Sequence, residues 1–277
     1  MILFKKIADL RNYLDSIDGD IGFVPTMGAL HEGHLSLIRK SKSENITTVC
    51  SIFVNPLQFN NSSDLEKYPR TLSTDSDILI SADCDILFAP DPGEMYADEN
   101  DKRLDFDPGF LDTLFEGSLR PGHFKGVAVV VNKLFEIVKP TNAYFGLKDF
   151  QQCMLIKKMV KDLVLPVRLH LCATLRETDG LAMSSRNKRL SKEARKVAPR
   201  IYEALIYAKE QYRTQNITMI ENWCKSHLSK EPLYRLEYFN IVNAESLLPV
   251  SSPDEPAVAL CAAFVDGVRL IDNMVLN

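Results

Sequence analysis

Between residues 21 and 175 short β-branched runs alternate with amphipathic helical stretches, and this alternation limits the possible folds more than any other feature of the chain. IGFVPT (21–26), TTVCSIFV (47–54), DILFAP (85–90), AYFG (143–146) and VRLHLCATL (167–175) read as strands. HLSLIRKSKS (34–43), TDSDILISADC (74–84) and KDFQQCMLIKKMVKDL (148–163) read as helices. In the last of these Phe150, Met154, Leu155, Met159, Val160 and Leu163 share one broad apolar face. HFKGVAVVVNKLFEIVK (123–139) has the length of a helix but a strand-like VAVVV core, so both readings stay open. Strands alternating with helices predict an α/β domain whose parallel sheet is covered on both faces.

The pattern changes after about residue 175. ETDGLAMSSRN (177–187) reads as a loop, and 192–213 and 219–228 as helices, with Pro199 either kinking the first or marking its true start. Residues 235–244, 257–265 and 268–276 read as strands, with Asp266-Gly267 as a hairpin turn between the last two. These signals predict two domains, 1–175 and a smaller α+β domain, 176–277. The acidic, turn-rich stretch 91–108 reads as a surface excursion rather than a site.

Charge and composition exclude several functions. Lys and Arg number 33 against 37 Asp and Glu, a net charge of −4, whereas a duplex-DNA binder needs a net basic footprint. Hydrophobic residues make up 45%, too many for a disordered chain. The start turns charged by Lys5, and the apolar run Ala257 to Val265 is far short of the ~20 residues of a membrane helix. The six cysteines form no C-x-x-C pair and read as buried thiols of a reducing compartment. The expectation is a soluble cytoplasmic protein with small-molecule partners, no nucleic acid and no membrane.

Four segments concentrate groups capable of chemistry. Pro25 to His34, PTMGALHEGH, links the first strand to the first helix. Gly28 and Gly33 allow a ligand close to the backbone. The helix N-terminus is a natural phosphate seat. His31 and His34 share one face of the turn and could donate hydrogen bonds to phosphate oxygens. The alternatives are a His pair that caps a loop or binds a metal; no Cys or His partners have the spacing of a structural zinc site. In VNPLQF, Asn55 and Gln58 sit at the end of the second strand, where open α/β sheets bind ligands. An Asn-Pro turn with a solvated Gln is the alternative. In GLKDFQQ, Lys148 can neutralise a phosphate, Asp149 can accept from a ribose hydroxyl or cap the helix, and Gln152 lies one turn on. A capped amphipathic helix is the plainer reading. In Met183 to Asn187 two hydroxyls and a guanidinium suit a polyphosphate. The basic stretch after Arg186 reads in its later part as a solvated helix face rather than an RNA patch.

In this order and spacing the segments resemble the pantothenate synthetase (pantoate–β-alanine ligase) family. PTMGALHEGH, VNPLQF, YPRTLSTD, RPGHFKGV, GLKDFQQ and DGLAMSSRN carry the resemblance, which runs from about residue 21 to 190. Leu147 departs from it, standing where the family usually has Glu. H-x-G-H is the nucleotide signature of an adenylyl-transferring superfamily, and Met183 to Asn187 resembles the mobile K-M-S-K-S loop that partners it in class I synthetases.

The resemblance implies a Rossmann-like nucleotide-binding domain with a smaller lid-like C-terminal domain, and a two-step ligation of pantoate and β-alanine through pantoyl adenylate, releasing pyrophosphate and AMP. It implies ATP binding by Met27, Gly28, Ala29, Leu30, His31, Glu32, Gly33 and His34, by Gly146, Leu147, Lys148 and Asp149, by the backbone at Leu175, and by Met183, Ser184, Ser185 and Arg186. His34 is the family's proton-donor position, with His31 and Lys148 as further catalytic groups. Gln58 and Gln152 would hold pantoate, Gln58 also standing near β-alanine with Asn55 beside them, while Met27, Val130 and Val131 pack the pantoate methyls. Arg120 and His123 receive no role. Mg²⁺ would bridge ATP oxygens without an assigned protein ligand. A homodimer is expected, with strand 47–54 or its neighbouring segments supplying the interface. Rival readings make distinct demands. A relative acting on a phosphorylated substrate would carry a basic residue where Asn55 and Gln58 stand. A non-catalytic nucleotide-binding module would have lost His31, His34, Lys148 or Arg186. A tRNA-aminoacylating enzyme would need more basic surface and an anticodon-binding appendage.

Overall fold

The computed structural model describes residues 1–60 and 65–277. Two compact units emerge: Met1–Gly146 with Gln151–Cys172, and Leu147–Phe150 with Ala173–Asn277.

Among the described residues the first unit carries a six-stranded parallel sheet in the order β1-β4-β3-β2-β5-β6. The strands are β1 (Ile2–Phe4), β2 (Ile21–Thr26), β3 (Thr47–Ile52), β4 (Ile86–Phe88), β5 (Asn142–Gly146) and β6 (Arg168–Cys172). The central strands are largely buried because helices cover both faces; Phe23, Val24, Val49, Cys50 and Leu87 are wholly buried. The open question over 123–139 resolves as the helix His123–Val138, most of which is buried, so its valines pack as core rather than pair as a strand. Elements beyond the sequence reading include β1 and the helix Ile7–Leu14, which buries Leu10 and Leu14. β3 lies between β4 and β2 with Thr47 to Ser51 buried. It therefore presents no free edge.

Strand order reverses beside β2: β3 and β4 follow on one side, β5 and β6 on the other. Ligand crevices in open α/β sheets form at such a switch point, outside the carboxyl ends of the strands. The register pairs Gly22 with Asn142, which puts the end of β5 at Gly146 level with the end of β2 at Thr26.

In the second unit the helices Arg200–Gln211 and Ile217–Ser229 pack with the antiparallel sheet β7 (Tyr234–Asn243), β8 (Ala257–Val265) and β9 (Val268–Val275). Ala204, Leu205, Ile220, Cys224, Phe239 and Cys261 are buried in that core. Pro199 divides the expected 192–213 helix, capping Arg200–Gln211 after the short helix Lys192–Val197. Asp266 and Gly267 both take positive φ, +49° and +77°, as the tight hairpin turn requires. The six cysteines are unpaired, and all but the half-buried Cys172 are buried. Among the described residues no helix is long and apolar enough to cross a membrane.

Candidate active site

β2 ends at Thr26, and after five intervening residues the helix Glu32–Glu44 begins. The turn uses left-handed backbone twice in succession, at Gly28 (φ +82°) and Ala29 (φ +51°). Glycine is required at the first: a Cβ would lie 3.0 Å from Asp75 Oδ2 and 3.1 Å from Ile52 Cγ2. At Ala29 the conformation costs about 1 kcal/mol. Asp75, only 2% exposed, holds it there. Its carboxylate accepts from Ala29 N at 3.0 Å, Leu30 N at 2.8 Å and Thr71 Oγ1 at 3.0 Å.

The helix start is closed by the two histidines themselves. Gly33 N donates to His31 Nδ1 at 3.1 Å, and His31 N donates to His34 Nδ1 at 3.3 Å, a reciprocal capping box. The ring centroids are 4.2 Å apart. The amides of His31 and Gly33 are thus engaged and are not a bare phosphate seat. With both Nδ1 atoms accepting, each neutral imidazole carries its proton on Nε2.

A second cluster surrounds the turn Pro56–Gln58 after β3. Asn55 is 1% exposed. Its Nδ2 donates to Gln58 Oε1 at 3.1 Å and Gly126 O at 2.9 Å; its Oδ1 accepts from Leu57 N at 3.2 Å and Tyr96 OH at 2.8 Å. Four bonds use the full ordinary capacity of the amide, so Asn55 braces the turn. Gln58 Nε2 meets Met27 Sδ at 3.0 Å. From behind, His123 Nδ1 lies 2.8 Å from Gln58 O and its Nε2 3.1 Å from Arg120 Nη1. Arginine only donates, so Nε2 accepts and Nδ1–H donates to the Gln58 carbonyl. Arg120 and His123, without a role in the sequence, support the turn that carries Gln58. Gly126 lets the helix touch that turn: a Cβ would fall 2.3 Å from Leu57 O and 2.7 Å from Gln58 N.

Tyr96 corrects the reading of 91–108 as mere surface. Its hydroxyl completes the Asn55 network, its ring packs edge-on to Phe53, and burial pushes its phenol above the usual range. At the carboxyl ends of β2, β3 and β4 lies a cavity of about 220 Å³ bordered by Met27, Gly28, Phe53, Arg70 and Pro90.

Val130 and Val131 are buried in the helix His123–Val138, and Gln152 is half-buried in Phe150–Asp162. Gly146 closes β5 with open space where a Cβ would project. The Leu30 side chain belongs to the core. The exposed Glu32 carboxylate pairs with Arg39 at 2.8 Å, away from the other groups.

Within the C-terminal unit, Leu147–Asp149 form one helical turn, with Lys148 Nζ 3.4 Å from Asp149 Oδ1. Lys148 borders one pocket together with Ser184, Arg186, Asn187 and Asp272. Ser184 Oγ accepts from Arg186 N at 3.2 Å, and Asn187 Nδ2 donates to Ala182 O at 3.0 Å, shaping the loop. Ser185 begins the short helix Ser185–Arg189. The Leu175 carbonyl already accepts from Met183 N at 3.0 Å. Buried Asp272 takes the fork of Arg176 at 2.6 and 3.0 Å; burial pushes its carboxyl up, against the lowering pull of Arg176. Neither residue stood out in the sequence.

Known proteins align with this arrangement end to end. The sequence model of the family Pantoate-beta-alanine ligase matches residues 2–275. A pantothenate synthetase of Cytophaga hutchinsonii is 45% identical over 283 residues, covering 100% of this chain and 99% of its own. One from Thermosipho africanus is 47% identical over 274 residues, covering 98% and 96%. The crystal structure of pantothenate synthetase from Thermus thermophilus superposes with a TM-score of 0.94 at 43% identity, covering 100% of this chain and 99% of that one. A pantoate–β-alanine ligase from Francisella tularensis, complexed with β,γ-ATP and β-alanine, gives a TM-score of 0.82 at 40% identity, covering 100% and 98%. With full-length matches in sequence and structure, this chain belongs to the pantoate–β-alanine ligase family.

Proposed function

We propose that the chain joins pantoate to β-alanine at the expense of ATP, forming pantothenate by way of pantoyl adenylate. In the first step a pantoate carboxylate oxygen bonds to the α-phosphorus of ATP, and the P–O bond to pyrophosphate breaks. In the second the β-alanine amine bonds to the acyl carbon, the acyl–oxygen bond breaks, AMP leaves and the amine loses a proton. Such chemistry needs placement and charge stabilisation more than a protein nucleophile.

The observation that carries this reading is the reciprocal cap of His31 and His34 at the sheet's switch point. With both Nδ1 atoms accepting, the rings carry their protons on Nε2 and suit donation to an anion that gains charge in the transition state; one such donor is typically worth ~10²–10³-fold in rate. His34 also serves as the proton donor. Lys148, Ser184, Ser185 and Arg186 take the polyphosphate, and Gly146, Asp149 and the backbone at Leu175 the nucleoside. Gln58 and Gln152 hold pantoate, Met27, Val130 and Val131 face its methyls, and Asn55 acts by fixing Gln58. The first unit serves in binding ATP and pantoate and the second as a lid-like domain, with Leu147–Phe150 and Ala173–Leu175 of the expected 1–175 domain falling in the second. Among the described residues no three His, Cys, Asp or Glu side chains converge as a metal cage. Mg²⁺ would therefore ride on the triphosphate and water, its usual manner beside substrate phosphates, and supply charge neutralisation there. We also propose a cytoplasmic homodimer.

The test is ATP–pyrophosphate exchange. Exchange that needs pantoate but not β-alanine supports the adenylate; exchange that needs β-alanine, or ignores pantoate, overturns it.

A further inference from the structure

We propose that Asn273, backed by Asp272 and Arg176, is a positioning residue that sets the direction of the Lys148 side chain. The proposal rests on the reading above that Lys148 meets the phosphates of ATP.

Neighbouring residues in a strand face opposite ways, so a half-buried strand ordinarily leaves one of two adjacent polar residues in water. β9 breaks this habit. Asp272 and Asn273 are 5% and 6% exposed, and both are committed to partners. Buried polar groups without bonds are costly, so the bonds they make indicate what they are for.

Asn273 Nδ2 donates to Leu147 O and to Lys148 O, each at 2.8 Å. Those two carbonyls belong to the peptide planes on either side of the Lys148 Cα. The angle between the planes is set by φ and ψ of Lys148, and it fixes the direction of the Cα–Cβ bond. One amide group therefore clamps both planes and aims the lysine stem. The side chain of Lys148 keeps its own rotamers, but its root does not wander.

Asn273 is itself held at both backbone ends. Its N–H donates to Asp272 Oδ1 at 2.8 Å, and its carbonyl accepts from Arg176 Nη2 at 3.2 Å. Arg176 grips both oxygens of Asp272, donates to Gly180 O at 3.1 Å and lies 4.5 Å over the ring of Tyr202. Arg176 also pairs with Ala182 in a backbone bridge, next to the Leu175–Met183 bond that starts the Ser184 loop. The same ion pair thus anchors the lysine turn and the serine–arginine loop. It has a second consequence. Asp272 borders the pocket that Lys148 borders, and its carboxylate would compete with phosphate for the ammonium. Arg176 grips both oxygens and so offsets part of that pull, while Asp149 Oδ1 stands 3.4 Å from the ammonium.

The test uses Asn273→Asp, which keeps the shape and removes both donors, in the wild-type and Lys148→Ala backgrounds. Asn273→Ser, which keeps one donor, serves if the aspartate variant does not fold. Two rates are read on protein of native circular dichroism: kcat/KM for ATP in pantoate-dependent pyrophosphate exchange, and reaction of supplied pantoyl adenylate with β-alanine. Asn273→Asp is expected to lower exchange at least tenfold, with the serine variant intermediate, and to change the second reaction less than threefold. In the Lys148→Ala background it is expected to cost less than a further twofold, because its effect passes through a side chain already gone. A loss that is equal in both half-reactions, or undiminished without Lys148, marks Asn273 as a general structural residue and overturns the proposal. If Lys148→Ala itself leaves exchange unchanged, the role given to Lys148 is wrong, and the proposal falls with it for that separate reason.

Discussion

Replacing Asp75 with Asn should loosen the loop that carries His31 while leaving the sheet intact. In the native protein one carboxylate oxygen accepts from Leu30 N at 2.8 Å, and the other from Ala29 N and Thr71 Oγ1, each at 3.0 Å. An asparagine oxygen can satisfy one side only; its NH₂ must then face a buried N–H donor. Losing a charge-assisted bond and leaving a buried donor unmet costs ~1.5–3 kcal/mol. The left-handed Ala29 adds a strain of about 1 kcal/mol that the clamp now offsets. A working value of about 2 kcal/mol is an equilibrium factor of about 30 toward the released loop. The assays are urea unfolding and pantoate-dependent pyrophosphate exchange. The expected result is a stability loss near 2 kcal/mol and a rate loss of ten- to a hundredfold, since a shift of ~1 Å in a catalytic group can cost 10²-fold. Unchanged stability together with unchanged exchange would refute the clamp.

Gly126→Ala should push the helix His123–Val138 off the Pro56–Gln58 turn, because its Cβ meets backbone at 2.3 Å. The expected outcome is destabilisation of ~1–3 kcal/mol and a raised KM for pantoate, read by urea melts and steady-state kinetics. Gln58→Ala and Gln152→Ala should each weaken pantoate use by ~1–3 kcal/mol and ATP binding much less; equal pantoate affinity in wild type and both variants would defeat that assignment. The Asp101 carboxyl is held below its ordinary 3.8 by the hydrogen bond from Lys133 and then by Asp98 N–H. Being depressed in the folded state, it stabilises fully above about pH 4 and loses this as pH falls through the folded value. Asp101→Asn should therefore flatten the acid limb of a stability–pH curve measured by urea unfolding.

The central strands of the sheet were legible because they are largely buried and read as short β-branched runs, and the hairpin because Asp266-Gly267 is a local signal. β1 spans three residues and is mostly exposed, too short for any period to register. The helix His123–Val138 was ambiguous because valine suits a strand, and only its packing decides. At the candidate site the contributing residue types were visible, but not how they are held. The cap that His31 and His34 make for each other is local, and a capping pair was among the readings open from spacing. Asp75 and Asn273 were out of reach for a different reason. Each acts on backbone groups, which no sequence pattern marks, across 46 and 125 residues respectively. Tyr96 was hidden by its surroundings: an acidic, turn-rich stretch suggests solvent, yet its one buried hydroxyl completes the Asn55 network.

Attack of the pantoate carboxylate on the α-phosphorus is reported most directly by oxygen transfer. Pantoate labelled with ¹⁸O in its carboxylate is turned over with ATP and β-alanine, and the products are weighed by mass spectrometry. One labelled oxygen should appear in AMP and none in pyrophosphate, because the carboxylate oxygen that bonds to the α-phosphorus in the first step stays on phosphorus when the acyl carbon–oxygen bond breaks in the second. Unlabelled AMP, or label in inorganic phosphate released alongside ADP, would contradict it.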